Sequence, residues 1–181
     1  MPDTWKARLK CLLQDLAAEA GKPARLAVVG IGNSFRSDDA AGMLVAGALS
    51  QRKCAQDRDP LLVIEAGHAP ENRTGELRSF APNLVLLVDA AEMGKAPGRV
   101  EWISEDDIDG MSASTHSLPL SMLAKYLTLE FDCQVRLLGI QPASNEVGET
   151  VSAEVVRAVE EVAEGLDEVI CTARDSVPAE T

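Results

Sequence analysis

The sequence predicts an α/β fold, a three-layer α/β/α sandwich built on a mostly parallel twisted sheet of about five strands. Three observations carry that expectation. Four short apolar runs, at residues 26–29, 61–64, 84–88 and 135–140, are continuous rather than alternating, as strands covered on both faces are. Stretches with apolar residues at three- and four-residue steps lie between them, and strands that alternate with helices build parallel sheets. The length, 181 residues, suits one domain at about 150 residues each.

Residues 4–20 form the first expected helix. Trp5, Leu9, Leu12, Leu13 and Leu16 share a face, and Gly21 and Pro23 then stop it. The run 26–29 is too short for a helix and leads into Gly30-Ile31-Gly32-Asn33, a buried strand meeting a turn. Helical spacing returns over 38–49, with Asp38 and Asp39 where a helix dipole favours carboxylates. Strands follow at 61–64 and 84–88, and residues 100–103 alternate weakly, as an edge strand would. A helix is expected over 116–129, a last strand over 135–140 and a closing amphipathic helix over 152–166, with 172–181 as a loose tail. Strand order is not readable from the string.

Lys and Arg number 17 against 29 Asp and Glu, a net charge of −12. Phosphate backbones are gripped by clustered Lys and Arg, so nucleic acid is excluded as a partner. Hydrophobic residues at 46% are too many for a disordered acidic tail, and aromatics at 3% leave the core to Ala, Val, Leu and Ile. No apolar run approaches the roughly 20 residues of a membrane span. The first 20 residues carry charges throughout, unlike a signal peptide. Cys11, Cys54, Cys133 and Cys171 are scattered without a C-x-x-C pair, which reads as free thiols in a reducing compartment. A soluble, cytoplasmic, monomeric, single-domain protein is expected.

In an open parallel sheet, ligands bind beyond the carboxyl ends of the strands. Strand one is followed by Asn33, Arg36, Asp38 and Asp39. Strand two ends at Glu65, with His68 beyond. Strand three ends at Asp89, with Glu92 beyond, and the last strand ends at Gln141. His116 opens the next helix. Three strands thus deliver carboxylates to one edge, and crowded acids need a counter-charge, either Arg36 or a metal ion. Carboxylates with an imidazole are an ordinary set for a first-row transition metal. The alternative is that each residue taken singly caps a helix or ends a strand. Gly30-x-Gly32 lacks the third glycine of a dinucleotide fingerprint, because residue 35 is Phe. No G-x-S-x-G elbow is present.

The segment Gly30-Ile31-Gly32-Asn33-x-x-Arg36-x-Asp38-Asp39-Ala40-Ala41-Gly42 resembles the opening signature of the [NiFe]-hydrogenase maturation proteases. The likeness continues through Ala69-Pro70-Glu71-Asn72, Val88-Asp89-Ala90-Ala91-Glu92-Met93-Gly94, Pro97-Gly98, Thr115-His116-Ser117-Leu118-Pro119-Leu120 and Leu138-Gly139-Ile140-Gln141-Pro142. It spans about residues 25–165 and is nearest to the subgroup serving formate-hydrogenlyase-type hydrogenases. The resemblance implies a nickel-dependent endopeptidase of aspartic type that trims the C-terminal extension of a hydrogenase large-subunit precursor. It implies metal contacts at Asp39, Asp89 and His116, with nickel presented by the precursor rather than held in the isolated protein. Glu65-Ala66-Gly67 departs from the Asp-Gly-Gly usual in the family, and His68 stands where a small residue is usual.

The site set is therefore Asp38, Asp39, Asp89 and His116, with Asp38 as general base or as support for the metal contacts and Glu65 as a weaker base. Arg36 would steady the acids or bind the end of the substrate. A rival from another class is a nickel-sensing assembly factor that docks on the precursor without cutting it.

Overall fold

The structure, a computed structural model, describes residues 4–52, 54, 59–104, 108 and 119–175. Five strands, β1 (Leu26–Ile31), β2 (Leu61–Gly67), β3 (Leu84–Ala90), β4 (Val100–Ser104) and β5 (Gln134–Ile140), form one sheet in the order β2-β1-β3-β5-β4. β4 alone runs antiparallel, as the edge strand its weak alternation predicts. The other four are parallel, and β1 and β3 are buried along their whole length, so their apolar runs have no solvent face to make polar.

Period-two alternation sorts each strand's side chains to opposite faces. Leu26 and Val28 of β1, with Leu84, Leu86 and Val88 of β3, face a layer of three helices: α1 (Trp5–Ala20), α2 (Ala41–Ser50) and a long C-terminal helix. Ala27, Val29, Val85 and Leu87 face α3 (Thr74–Phe80) and α4 (Leu120–Phe131). The long helix, α5, spans Ala153–Asp175. α1 starts where Thr4 Oγ1 accepts from the Ala7 amide and ends on Gly21 in the left-handed region, both as the sequence signals.

Several expectations change. The helix expected over 38–49 is a 3-10 turn at Ser37–Ala40 followed by α2. The helix expected over 116–129 is observed at Leu120–Phe131, while 116–118 lie outside the described residues. α3 was not expected at all, because seven residues are too few for a periodic signal. The loose tail gives way to helix through residue 175. Val169 and Ile170 are buried, and Cys171 is bonded to Cys54, so this stretch has an anchored apolar face. That disulfide also corrects the free-thiol reading for two of the four cysteines; Cys11 and Cys133 are free. Pairing across 117 residues leaves no local spacing to read.

Candidate active site

The carboxyl edge of the sheet is assembled by close backbone approach. A methyl group on Gly42, at the start of α2, would lie 2.0 Å from the Val88 carbonyl oxygen and 2.4 Å from that of Ile31. A methyl on Gly30 would lie 2.1 Å from the Gly42 oxygen. Only glycine at both positions lets α2 sit on β1 and β3 at this distance. The turn before α2, which carries Asp38 and Asp39, is thereby set against the end of β3, where Asp89 follows Val88. Gly32, at φ 144° and with its α-carbon against the Asp39 carbonyl, completes the turn.

The two adjacent acids do different things. Asp38 is wholly buried, and its carboxylate is filled by four donors: the amides of Ala143, Ser144 and Ser152 at 2.7, 3.1 and 2.7 Å, and the Ser152 hydroxyl at 2.9 Å. Its own amide donates to the Ser144 carbonyl. A carboxylate so occupied has little capacity left to take a proton from water, so of its two expected roles the geometry favours support. It pins the loop after β5 to the loop after β1. Asp39 and Asp89 are 3% and 1% exposed; Asp39 lies in the turn after β1, and Asp89 lies near the C-terminal end of β3, the parallel neighbour of β1. Asp89 is in register with Gly139 of β5, which has no side chain to stand beside it.

Among the described residues Arg36 makes no ion pair with the acids; its contact is with the backbone of the loop after β5. Its guanidinium donates to the Asn145 carbonyl at 3.3 Å, a second tie between the same two loops. Glu65 is exposed on edge strand β2, where a bulge at Ala66 shifts the register between Gly30 and Ile31. Its carboxylate lies over Gly47 of α2, within 3.6 Å of where a methyl would be. Arg73 donates to the Glu65 carbonyl and pairs with Glu76. That hydrogen bond to Glu76 is the main cause holding Arg73 above its ordinary value, with Glu65 adding to it, and Arg73 in turn holds Glu76 below the usual carboxylate range. His68 is an exposed turn residue. His116 lies outside the described residues.

Sequence reasoning missed the weight of Gln141 and Ser152. Gln141 is buried; its side-chain oxygen accepts from the amides of Met93 and Lys95, and its side-chain nitrogen donates to Glu92 at 2.8 Å. It fixes the loop that follows Asp89. A buried amide at a strand end was the available signal, since such a group must find partners. The apolar hollow of about 420 Å³ lined by Leu13, Ala17, Pro23, Leu61 and Ile170 belongs to the opposite edge of the sheet, away from the acids.

A family model described as hydrogenase maturation protease matches residues 44–171. The chain belongs to the hydrogenase maturation protease family. Membership of this family makes it a peptidase. The family match begins inside α2, so the turn with Asp38 and Asp39 precedes it. The hydrogenase 3 maturation protease of Escherichia coli is 40% identical over 114 residues, 62% of this chain and 69% of that one. A crystal structure of a [NiFe] hydrogenase maturation protease, HycI from Thermococcus kodakarensis, aligns with a TM-score of 0.76 at 31% identity, over 88% of this chain and 99% of that one. The solution structure of the endopeptidase HycI from Escherichia coli aligns at 0.68 and 34%, over 79% and 89%.

Proposed function

We propose that this protease removes the C-terminal extension of a [NiFe]-hydrogenase large-subunit precursor after nickel insertion, acting as a cytoplasmic monomer. Asp39, Asp89 and His116 would contact the nickel that the precursor carries, so the metal is part of the substrate. The observation that carries this reading is the burial of Asp39 and Asp89 at one sheet edge, on elements pressed together by Gly30 and Gly42. Buried carboxylates favour a cation, and oxygen and nitrogen donors suit a divalent first-row ion. His116 stands four positions ahead of α4 in the sequence and completes the donor set the family signature implies.

Nickel held between these residues would fix the scissile peptide beside it and polarise its carbonyl or an attacking water. Water adds to the carbonyl carbon, the C–N bond breaks, and the proton ends on the new amine. Three protein ligands leave coordination positions for the ligands of the substrate, unlike a closed structural site. His116→Ala should abolish cleavage of nickel-loaded precursor while leaving thermal stability within about 0.5 kcal/mol. A cadmium or zinc soak should place one ion against Asp39, Asp89 and His116. Cleavage by His116→Ala at the parental rate would refute the metal-recognition role.

A further inference from the structure

We propose that Cys54, Cys171 and Asp167 form a zinc site once their disulfide is reduced, separate from the acids at the carboxyl edge of the sheet. Among the described residues, these three side chains bring their ligand atoms within 4.8 Å of one another. Asp167 and Cys171 stand four residues apart on α5 and so share one face, the spacing at which a helix presents paired ligands to zinc. Cys54, buried just beyond the C-terminal end of α2, meets them from the other side. The Cys54 amide donates to Asp167 Oδ1 at 3.1 Å. That bond holds the carboxylate beside both sulfurs and does not use its second oxygen.

A disulfide has no use for a neighbouring carboxylate, whereas two thiolates and a carboxylate oxygen are together a donor set for zinc. The Cα atoms of the two cysteines are 5.9 Å apart. Zinc with Zn–S bonds of about 2.3 Å and tetrahedral angles needs sulfurs about 3.8 Å apart, a separation that side-chain rotation supplies from this backbone. In a reducing compartment the disulfide does not persist. A dithiol gives the Cys54–Cys171 bond two electrons and two protons and leaves as its own disulfide. Both thiols then release their protons to water as the sulfurs bind the zinc ion, and Asp167 supplies the third ligand. Water fills the fourth position, which solvent reaches because Asp167 and Cys171 are only half-buried. The ion thereby ties the segment after α2 to α5 when the disulfide is gone. Both helices support the acids at their other ends: α2 follows the turn with Asp38 and Asp39, and Ser152, which holds Asp38, immediately precedes α5.

The test uses the full chain stripped of metal by a chelator, either oxidised or reduced with a phosphine that leaves all four cysteines as thiols. Cobalt(II) is the probe, because a thiolate-to-cobalt charge-transfer band reports sulfur ligation, which Asp39, Asp89 and His116 cannot give. Reduced parental protein should develop this band with one equivalent of cobalt per chain, and zinc should displace it. Zinc should also raise the melting temperature of reduced protein by about 5–10 °C at a hundredfold excess over the dissociation constant. The band should be absent from oxidised protein and lost in reduced Cys171→Ser and Cys54→Ser, whereas Cys11→Ser should keep it. Asp167→Asn retains an acceptor for the Cys54 amide, so it should fold and still weaken cobalt binding about tenfold or more. No band in reduced parental protein, or an equal band in Cys171→Ser, overturns the site. Parental affinity in Asp167→Asn removes the carboxylate from the ligand set and overturns the three-ligand site.

Discussion

Asp38 and Asp39 are neighbours with the same chemistry, yet the first ties four donors from a loop more than 100 residues away, and the second lies with Asp89 at the carboxyl edge of the sheet. Asp38→Asn keeps one acceptor oxygen and turns the other into an NH2 donor, which leaves the N–H groups that oxygen held without an acceptor. A hydrogen bond to a charged group contributes about 1.5–3 kcal/mol, so the variant should lose roughly 2–4 kcal/mol of unfolding free energy in a denaturant titration. Asp39→Asn should cost much less stability and still abolish cleavage. Equal losses of stability in the two variants would contradict this division of labour. The pair was legible in the sequence as a site feature, but its division was not. The donors that decide it come from Ala143, Ser144 and Ser152, and nothing local to residue 38 announces them. The same holds for Arg36, whose partner is a backbone carbonyl of Asn145 rather than an acid.

At the scale of elements, the strands were the most legible part, because burial on both faces forces unbroken apolar runs at β1 and β3, and shorter apolar runs mark β2 and β5. Their order was not, since pairing is set by helix packing between distant segments. Gly30 and Gly42 show how the packing sets the site: at its N-terminal end α2 meets β1 and β3 backbone to backbone. Gly42→Ala would place a methyl 2.0 Å from the Val88 oxygen, so α2 must retreat. We expect a loss of about 1–3 kcal/mol from overpacking, with cleavage falling further because the Asp39 turn moves off Asp89. The Cys54–Cys171 bond is the second element-scale feature. It closes a sequence separation of 117 residues, for which chain entropy allows up to about 4–5 kcal/mol. Cys171→Ser should lower the melting temperature of oxidised protein, and adding a dithiol reductant should bring the parental protein down to the variant. Identical melting curves without reductant would show that the bond contributes nothing.

For the molecule as a whole, a net charge of −12 surrounds a site made of acids. Among the described residues no helix is long and apolar enough to cross a membrane, and the charge instead suits attraction to a basic region of a protein substrate. Cleavage measured as kcat/KM should fall as salt rises from about 0.05 to 0.5 M, since screening shortens the reach of such attraction. A flat profile would leave docking to apolar contacts alone. The family and the overall function class were readable from ordered motifs spread across the chain, and the family match and the shared fold agree with that reading. The most direct test of the account is the mass of the precursor's C-terminus after incubation with this protein, with nickel inserted and with nickel withheld. The account predicts loss of the terminal peptide from the nickel-loaded precursor and an unchanged mass for the metal-free one. Equal cleavage of both, or of neither, would contradict it.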